Sequence, residues 1–158
     1  MNSSSLHNSP GGANSGIHIG LFDNSRHRDQ VVALWEAIFA YPAPHNRPSL
    51  SIDRKLEVRD GLFFVALDGT EVVGTTMAGY DGHRGYIYSV AVRPSHRKQG
   101  IGTALVARAE EALAARGCLK INLQILEGNE DVTAFYASLG YAVERRTNMG
   151  KVLPAPAE

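Results

Sequence analysis

Val90-Ala91-Val92-Arg93-Pro94-Ser95-His96-Arg97-Lys98-Gln99-Gly100-Ile101-Gly102-Thr103 is the stretch on which the fold turns. An apolar, β-branched run stops at a proline, a basic loop follows, and two glycines open a segment with helical apolar spacing over residues 100–116. Gly117 is placed to stop that helix. A further strand over 120–126 makes the unit strand–helix–strand, which implies a right-handed crossover and at least one parallel strand pair. The start of such a helix presents unpaired N–H groups and a partial positive charge. Glycine there lets an anion approach the backbone, and Arg97 and Lys98 add full charges, so the loop reads as an anion cradle suited to a pyrophosphate. It is not a P-loop, because no Gly-Lys-Ser/Thr follows four spacers. Nor is it a dinucleotide fingerprint: Leu105 stands where the third glycine belongs, and Asn122 stands where an acid is needed about 20 residues on.

Upstream, residues 86–92 form the strand that enters the loop. Asp81-Gly82 opens a turn before it, and Asp68-Gly69 is a hairpin signal joining strands over 62–67 and 70–80. A first strand over 17–22 precedes Asp23, Asn24 and Ser25, which offer N-cap oxygens to a helix over about 26–40. Val31, Trp35 and Ile38 make that helix's apolar stripe and place Trp35 in the core. Pro42, Pro44 and Pro48 make 41–49 a loop, and a second helix runs over about 51–59. Downstream, a helix over about 131–138 is closed by Gly140, and 141–152 reads as a last strand or hairpin.

The chain has 158 residues, 44% apolar and 20% charged, which is the composition of one globular domain without need of a disulfide or metal staple. Sixteen basic residues balance sixteen acidic ones, so nothing global draws the chain to nucleic acid or an anionic membrane, and neither partner is expected. The longest apolar run, 62–67, is too short to span a bilayer. One cysteine, Cys118, fits a reducing compartment, so a cytoplasmic location is expected; the six histidines show no metal-ligand spacing, and no metal is expected. Twelve of residues 1–16 are Asn, Ser, Gly or Pro, which reads as a disordered tail, with a single domain over 17–153.

Arg97-x-x-Gly100-x-Gly102 after Val-Ala-Val resembles the acetyl-CoA-binding motif of the GNAT acetyltransferase superfamily. Asn129, then Phe135-Tyr136, then Leu139-Gly140-Tyr141 resembles that family's second signature, at the right separation. Residues 79–85 and Arg116-Gly117-Cys118 resemble its bacterial YpeA-like branch. The resemblance implies an α/β (α+β) fold: a mixed, mostly antiparallel twisted sheet with helices on both faces and one splayed parallel strand pair. It implies acetyl-CoA as cosubstrate, a primary amine (small molecule or peptide α-amine) as acceptor, and, since dimers are common in the family, a homodimer as a candidate state. Backbone groups of Val90, Ala91 and Val92 would pair with the pantetheine arm, and a bulge there would turn an N–H toward the thioester carbonyl. Backbone N–H groups of Lys98, Gln99, Gly100, Ile101, Gly102 and Thr103 would hold the pyrophosphate beside Arg97. Asn129 would hydrogen-bond the pantetheine, and Tyr136 would protonate the leaving thiolate.

The general base stays open. Ribosomal-protein N-acetyltransferases of the superfamily carry a glutamate where Gln124 stands here, so neither that base nor that substrate is carried over. Candidates for the base or the acceptor site are Asp81, His83, Tyr88, Glu127 and Tyr41, with His45 beside the last. Asp81 and His83 also suit plain turn chemistry. Tyr86, Tyr88, Val90 and Val92 share one strand face unless a bulge intervenes. Asn129 also suits a plain helix N-cap. The rival readings are a non-catalytic acyl-CoA-binding module and, less compatible with Leu105 and Asn122, a dinucleotide-dependent enzyme.

Overall fold

The computed structural model describes residues 16–40 and 43–154. The tail expected over 1–16 therefore lies outside the described residues except for Gly16, as does Tyr41. In chain order the elements are β1 (Ile17–Leu21), α1 (Asn24–Ile38), a 3-10 turn (Pro44–Asn46), α2 (Pro48–Val58), β2 (Phe63–Asp68), β3 (Glu71–Tyr80), β4 (Gly85–Val92), a second 3-10 turn (Pro94–His96), α3 (Ile101–Ala114), β5 (Ile121–Asn122) and α4 (Glu130–Ser138). The chain divides into two compact units, one through Gln124 and one from Ile125.

The first unit holds an open five-stranded sheet in the order β1-β2-β3-β4-β5. The first four strands pair antiparallel and β4 pairs with β5 in parallel, as the crossover required. Helices cover both faces, and two adjacent residues of β3 show it. Thr75 receives a hydrogen bond from the Trp35 indole of α1. Gly74 lies against Ile101 and Leu105 of α3. Consecutive strand residues face opposite sides, so α1 and α3 do too. The α1 side is the main core: Val31, Leu34 and Trp35 pack with Ile52 of α2 and with Phe63, Val65, Val72, Met77 and Ala91 of the sheet. Phe63 stacks between Phe22, at 4.1 Å between ring centroids, and Trp35, at 5.8 Å.

Three sequence expectations are corrected. Helix α2 starts at Pro48, which sits in its first turn instead of breaking the chain; a missing N–H costs nothing there. The strand expected over 120–126 shrinks to Ile121–Asn122, because Leu119 and Leu126 lie exposed and leave the apolar pattern no buried face at either end. The strand or hairpin expected over 141–152 is not formed: described residues 141–154 carry no regular element. Val143, Met149, Val152 and Leu153 are exposed, and the Glu144-Arg145-Arg146 run interrupts any alternation that could give the segment one buried face.

Candidate functional site

The short parallel ladder, Gly85↔Ile121 and Tyr86↔Asn122, leaves β4 from Ile87 onward without a β5 partner. Along that stretch β4 is bulged. Met77 of β3 faces Tyr88 and Thr75 faces Ala91, so Ser89 and Val90 together oppose Thr76 alone. Ser89 takes the left-handed conformation, φ +52°. The bulge reverses the alternation, so Tyr86 and Tyr88 share their face with Ala91, and the face expected to continue through Val90 and Val92 ends at Tyr88. Two bonds tie the bulge inward: the Trp35 indole N–H donates to Thr75 Oγ1 at 2.8 Å, and that hydroxyl donates to the Ser89 carbonyl at 2.9 Å.

Beyond β4 the loop folds back on the strand it leaves. Arg97 Nε donates to the Val92 carbonyl at 3.2 Å, and His96 meets Asp68 at 3.2 Å. Lys98, at φ +60°, and Gly100, at φ +78°, both take left-handed conformations just ahead of α3. Gly100 is the helix N-cap and no side chain caps it. Ala104 N–H bonds back to the Gly100 carbonyl at 3.0 Å, so the N–H groups of Ile101, Gly102 and Thr103 precede the first intrahelical bond. A Cβ at Gly100 would meet nothing within 4 Å, leaving room over the cradle. An uncapped helix start, open space and the basic pair Arg97 and Lys98 fit a pyrophosphate.

On the α1–α2 side of the bulge lies a cavity of about 510 Å³ whose lining includes His45, Arg54, Lys55, Met77, Tyr88 and Ser89. Tyr88 and His45, two of the residues considered for the acceptor site, line this one cavity together. Lys55 and Arg54 were missed. Lys55 is buried on the same side of α2 as Ile52, three residues earlier. Its ammonium meets Asp60 Oδ2 at 2.6 Å, donates to the Ala78 carbonyl, and lies 5.7 Å from the centre of the Tyr88 ring. The legible signal was a lysine at apolar spacing with an acid just past the helix end. Arg54 pairs with Glu57 at 2.9 Å, both largely exposed.

Asp81 accepts backbone N–H bonds from Arg84 and His83, each at 2.7 Å, and these hold its carboxyl below the usual carboxylate range. It lies in the turn between β3 and β4, and His83 is exposed beside it. Cys118 is half-buried and donates to the Lys120 carbonyl at 3.3 Å. In the second unit Glu127 is exposed, and Asn129 caps α4, its Oδ1 accepting from Val132 N–H at 3.4 Å. Tyr136 of α4 is buried, with Phe135 and Tyr141 edge-on to its ring at 5.0 and 5.5 Å. Burial pushes its phenol up to about 12. Among the described residues no group of three or more His, Cys, Asp or Glu is placed to hold a metal ion, and no helix is long and apolar enough to cross a membrane.

Over residues 28–141 the chain matches the acetyltransferase (GNAT) family. It is 45% identical over 121 residues to an acetyltransferase of Sodalis glossinidius (strain morsitans), covering 75% of this chain and 84% of that one. Solved structures share the fold at lower identity. An acetyltransferase from Streptococcus agalactiae superposes with a TM-score of 0.72 at 22% identity, over 89% of this chain and 93% of its own. The structure of AAC(6′)-Iy in complex with the bisubstrate analogue CoA-S-monomethyl-acetylneamine gives 0.70 at 16%, over 89% and 100%.

Proposed function

The chain belongs to the GNAT acetyltransferase family, and from that premise we propose that it moves an acetyl group from acetyl-CoA to a primary amine by direct attack, with both substrates bound at once. The observation that carries this reading is the bulged β4, without a β5 partner from Ile87 onward, leading directly into an uncapped α3 start. Acetyl-CoA supplies the thioester to be attacked. Backbone N–H groups from Lys98 to Thr103 hold its pyrophosphate, with Arg97 adding charge; backbone groups of Val90, Ala91 and Val92 pair with the pantetheine; Asn129 adds a hydrogen bond. At the bulge it is the Val90 N–H that stabilises the negative charge developing on the carbonyl oxygen. Tyr136 donates a proton as the thiolate leaves. No nucleophilic side chain is needed, because holding amine and thioester together supplies much of the rate.

Melting curves test the cradle. Acetyl-CoA at about 100 times its dissociation constant should add roughly 2.7 kcal/mol of stability, raising the midpoint by about 5–10 °C for a domain of this size. NADH should leave the midpoint unmoved. No shift with millimolar acetyl-CoA removes the cradle and the enzyme reading with it.

The acceptor enters the cavity beside Tyr88 and Ser89. A further positive charge is unfavourable next to Lys55 and Arg54, so the amine binds as the free base, its proton left in solvent. The same charges favour amines bearing an acidic group over polycationic ones. One charge-assisted bond from Arg54 gives about a tenfold preference. Comparing amino acids with their amides as acceptors, in the wild type and in Arg54→Gln, measures it. Equal kcat/KM for acid and amide in the wild type would take Arg54 out of acceptor recognition.

A further inference from the structure

We propose that Trp35 and Thr75 are positioning residues that set the direction and donor strength of the Val90 N–H, the group that faces the thioester carbonyl in the acetyl-transfer reading on which this inference rests. Both side chains are buried, Trp35 at 1% and Thr75 at 0% exposure. Thr75 lies on the face of β3 that packs with Trp35, Phe63, Val65 and Met77, where valine would fill the same space without a hydroxyl to satisfy. The hydroxyl is instead fully used. An indole N–H can only donate, and a hydroxyl has one proton to give. The chain therefore has one polarity: Trp35 N–H to Thr75 O–H at 2.8 Å, and Thr75 O–H to the Ser89 carbonyl at 2.9 Å.

The Ser89 carbonyl and the Val90 N–H belong to one planar trans peptide, so they point in opposite directions. Drawing the carbonyl onto Thr75 aims the Val90 N–H away from Thr75. A carbonyl that accepts a hydrogen bond, from a hydroxyl that itself accepts one, leaves its peptide N–H a stronger donor. The left-handed φ of +52° at Ser89, rare for a residue with a Cβ, marks a backbone held by such an anchor. Thr76, directly opposite the bulge, supplies the contrast. Its hydroxyl is buried and finds no hydrogen-bond partner among the described residues, so engagement of Thr75 is not a general property of threonines in this strand.

The test reads the donor directly and needs no acceptor amine. The infrared carbonyl band of acetyl-CoA labelled with carbon-13 at the thioester is recorded free and bound, and the affinities of acetyl-CoA and CoA are measured by calorimetry. The wild type should shift the band to lower frequency and bind acetyl-CoA more tightly than CoA. Thr75→Val should lose most of the shift and about tenfold in acetyl-CoA affinity, with CoA affinity unchanged. Thr75→Ser should restore both, Trp35→Phe should leave an intermediate shift, and Thr76→Val should behave as wild type. If Thr75→Val does not fold, the intermediate band of Trp35→Phe and the wild-type band of Thr75→Ser carry the decision. A full band shift in Thr75→Val, or in Trp35→Phe where Thr75→Val does not fold, with CoA still bound, overturns the inference and leaves acetyl transfer standing. If the wild type binds neither CoA nor acetyl-CoA, the reading beneath it fails, and this inference falls with it.

Discussion

Tyr136→Phe should lower kcat by about a hundredfold to a thousandfold, the usual worth of a positioned general acid, while acetyl-CoA affinity stays within a few-fold of wild type. The substitution keeps the ring, so the edge contacts with Phe135 and Tyr141 and the burial of the side chain persist, and only the hydroxyl is lost. Burial raises the phenol from its ordinary 10.0 to about 12. The sign matters for the pH profile. A raised value keeps the proton in place across the whole working range, so ionisation of this acid should cause no alkaline fall in rate below about pH 10. The same shift ties stability to the neutral phenol: the contribution is complete below pH 10, the unfolded value, and is lost as pH rises through about 12. Release of CoA thiol with a trial amine measures the rate. Undiminished kcat in the variant would take the acid role from Tyr136. A wild type that binds acetyl-CoA but transfers to no amine would favour the non-catalytic binding module instead.

What the sequence could tell depended on whether a feature is local. The loop and helix start proposed as the cradle were legible because their parts are contiguous: a strand end, a basic loop, and a glycine at the helix start that takes φ +78°. The bulge was expected only through the family resemblance; the residues alone do not show it, because nothing in 86–92 breaks the pattern of an ordinary strand and Ser89 is not the glycine that usually marks a left-handed bulge. Its anchor lies on two other elements, Trp35 on α1 and Thr75 on β3. Trp35 was rightly placed in the core by its spacing, but spacing says nothing about where an indole N–H goes. Lys55 escaped because a lone lysine in a helix reads as solvated, and the Asp60 and Ala78 groups that hold it are supplied by folding. For Asp81 the residues alone could not show the two backbone N–H groups that its carboxylate accepts in the turn, because those bonds exist only once the turn has formed. The strands expected over 120–126 and 141–152 failed for a related reason. Alternation identifies a candidate strand but not whether an edge is there to receive it.

Gly74→Ala should destabilise the protein by about 1–3 kcal/mol, the range for overpacking a filled core, and lower the melting midpoint by roughly 3–10 °C for a domain of this size. An alanine Cβ there would lie 2.9 Å from Leu105 Cδ1, 3.0 Å from the Ala91 carbonyl oxygen and 3.3 Å from Ile101 Cγ2. Leu105 can turn aside, but the Ala91 oxygen is backbone of β4, so the sheet or α3 must move. Ile101 and Leu105 are in the first turns of α3, directly after the cradle, and lifting them off β3 moves the N–H groups proposed to hold the pyrophosphate. Acetyl-CoA affinity should therefore fall severalfold along with stability, whereas Gly150→Ala, with nothing within 4 Å of its Cβ, should change neither. A double-mutant cycle with Leu105→Ala identifies the cause. Removing the leucine end relieves part of the clash, so the two changes should be less destabilising together than their sum by about 1 kcal/mol. Strict additivity would mean that the cost comes from the Ala91 carbonyl and β4. Normal acetyl-CoA affinity in a destabilised Gly74→Ala would mean that the loop from Arg97 to Gly100 holds its shape without the packing of α3 beneath it.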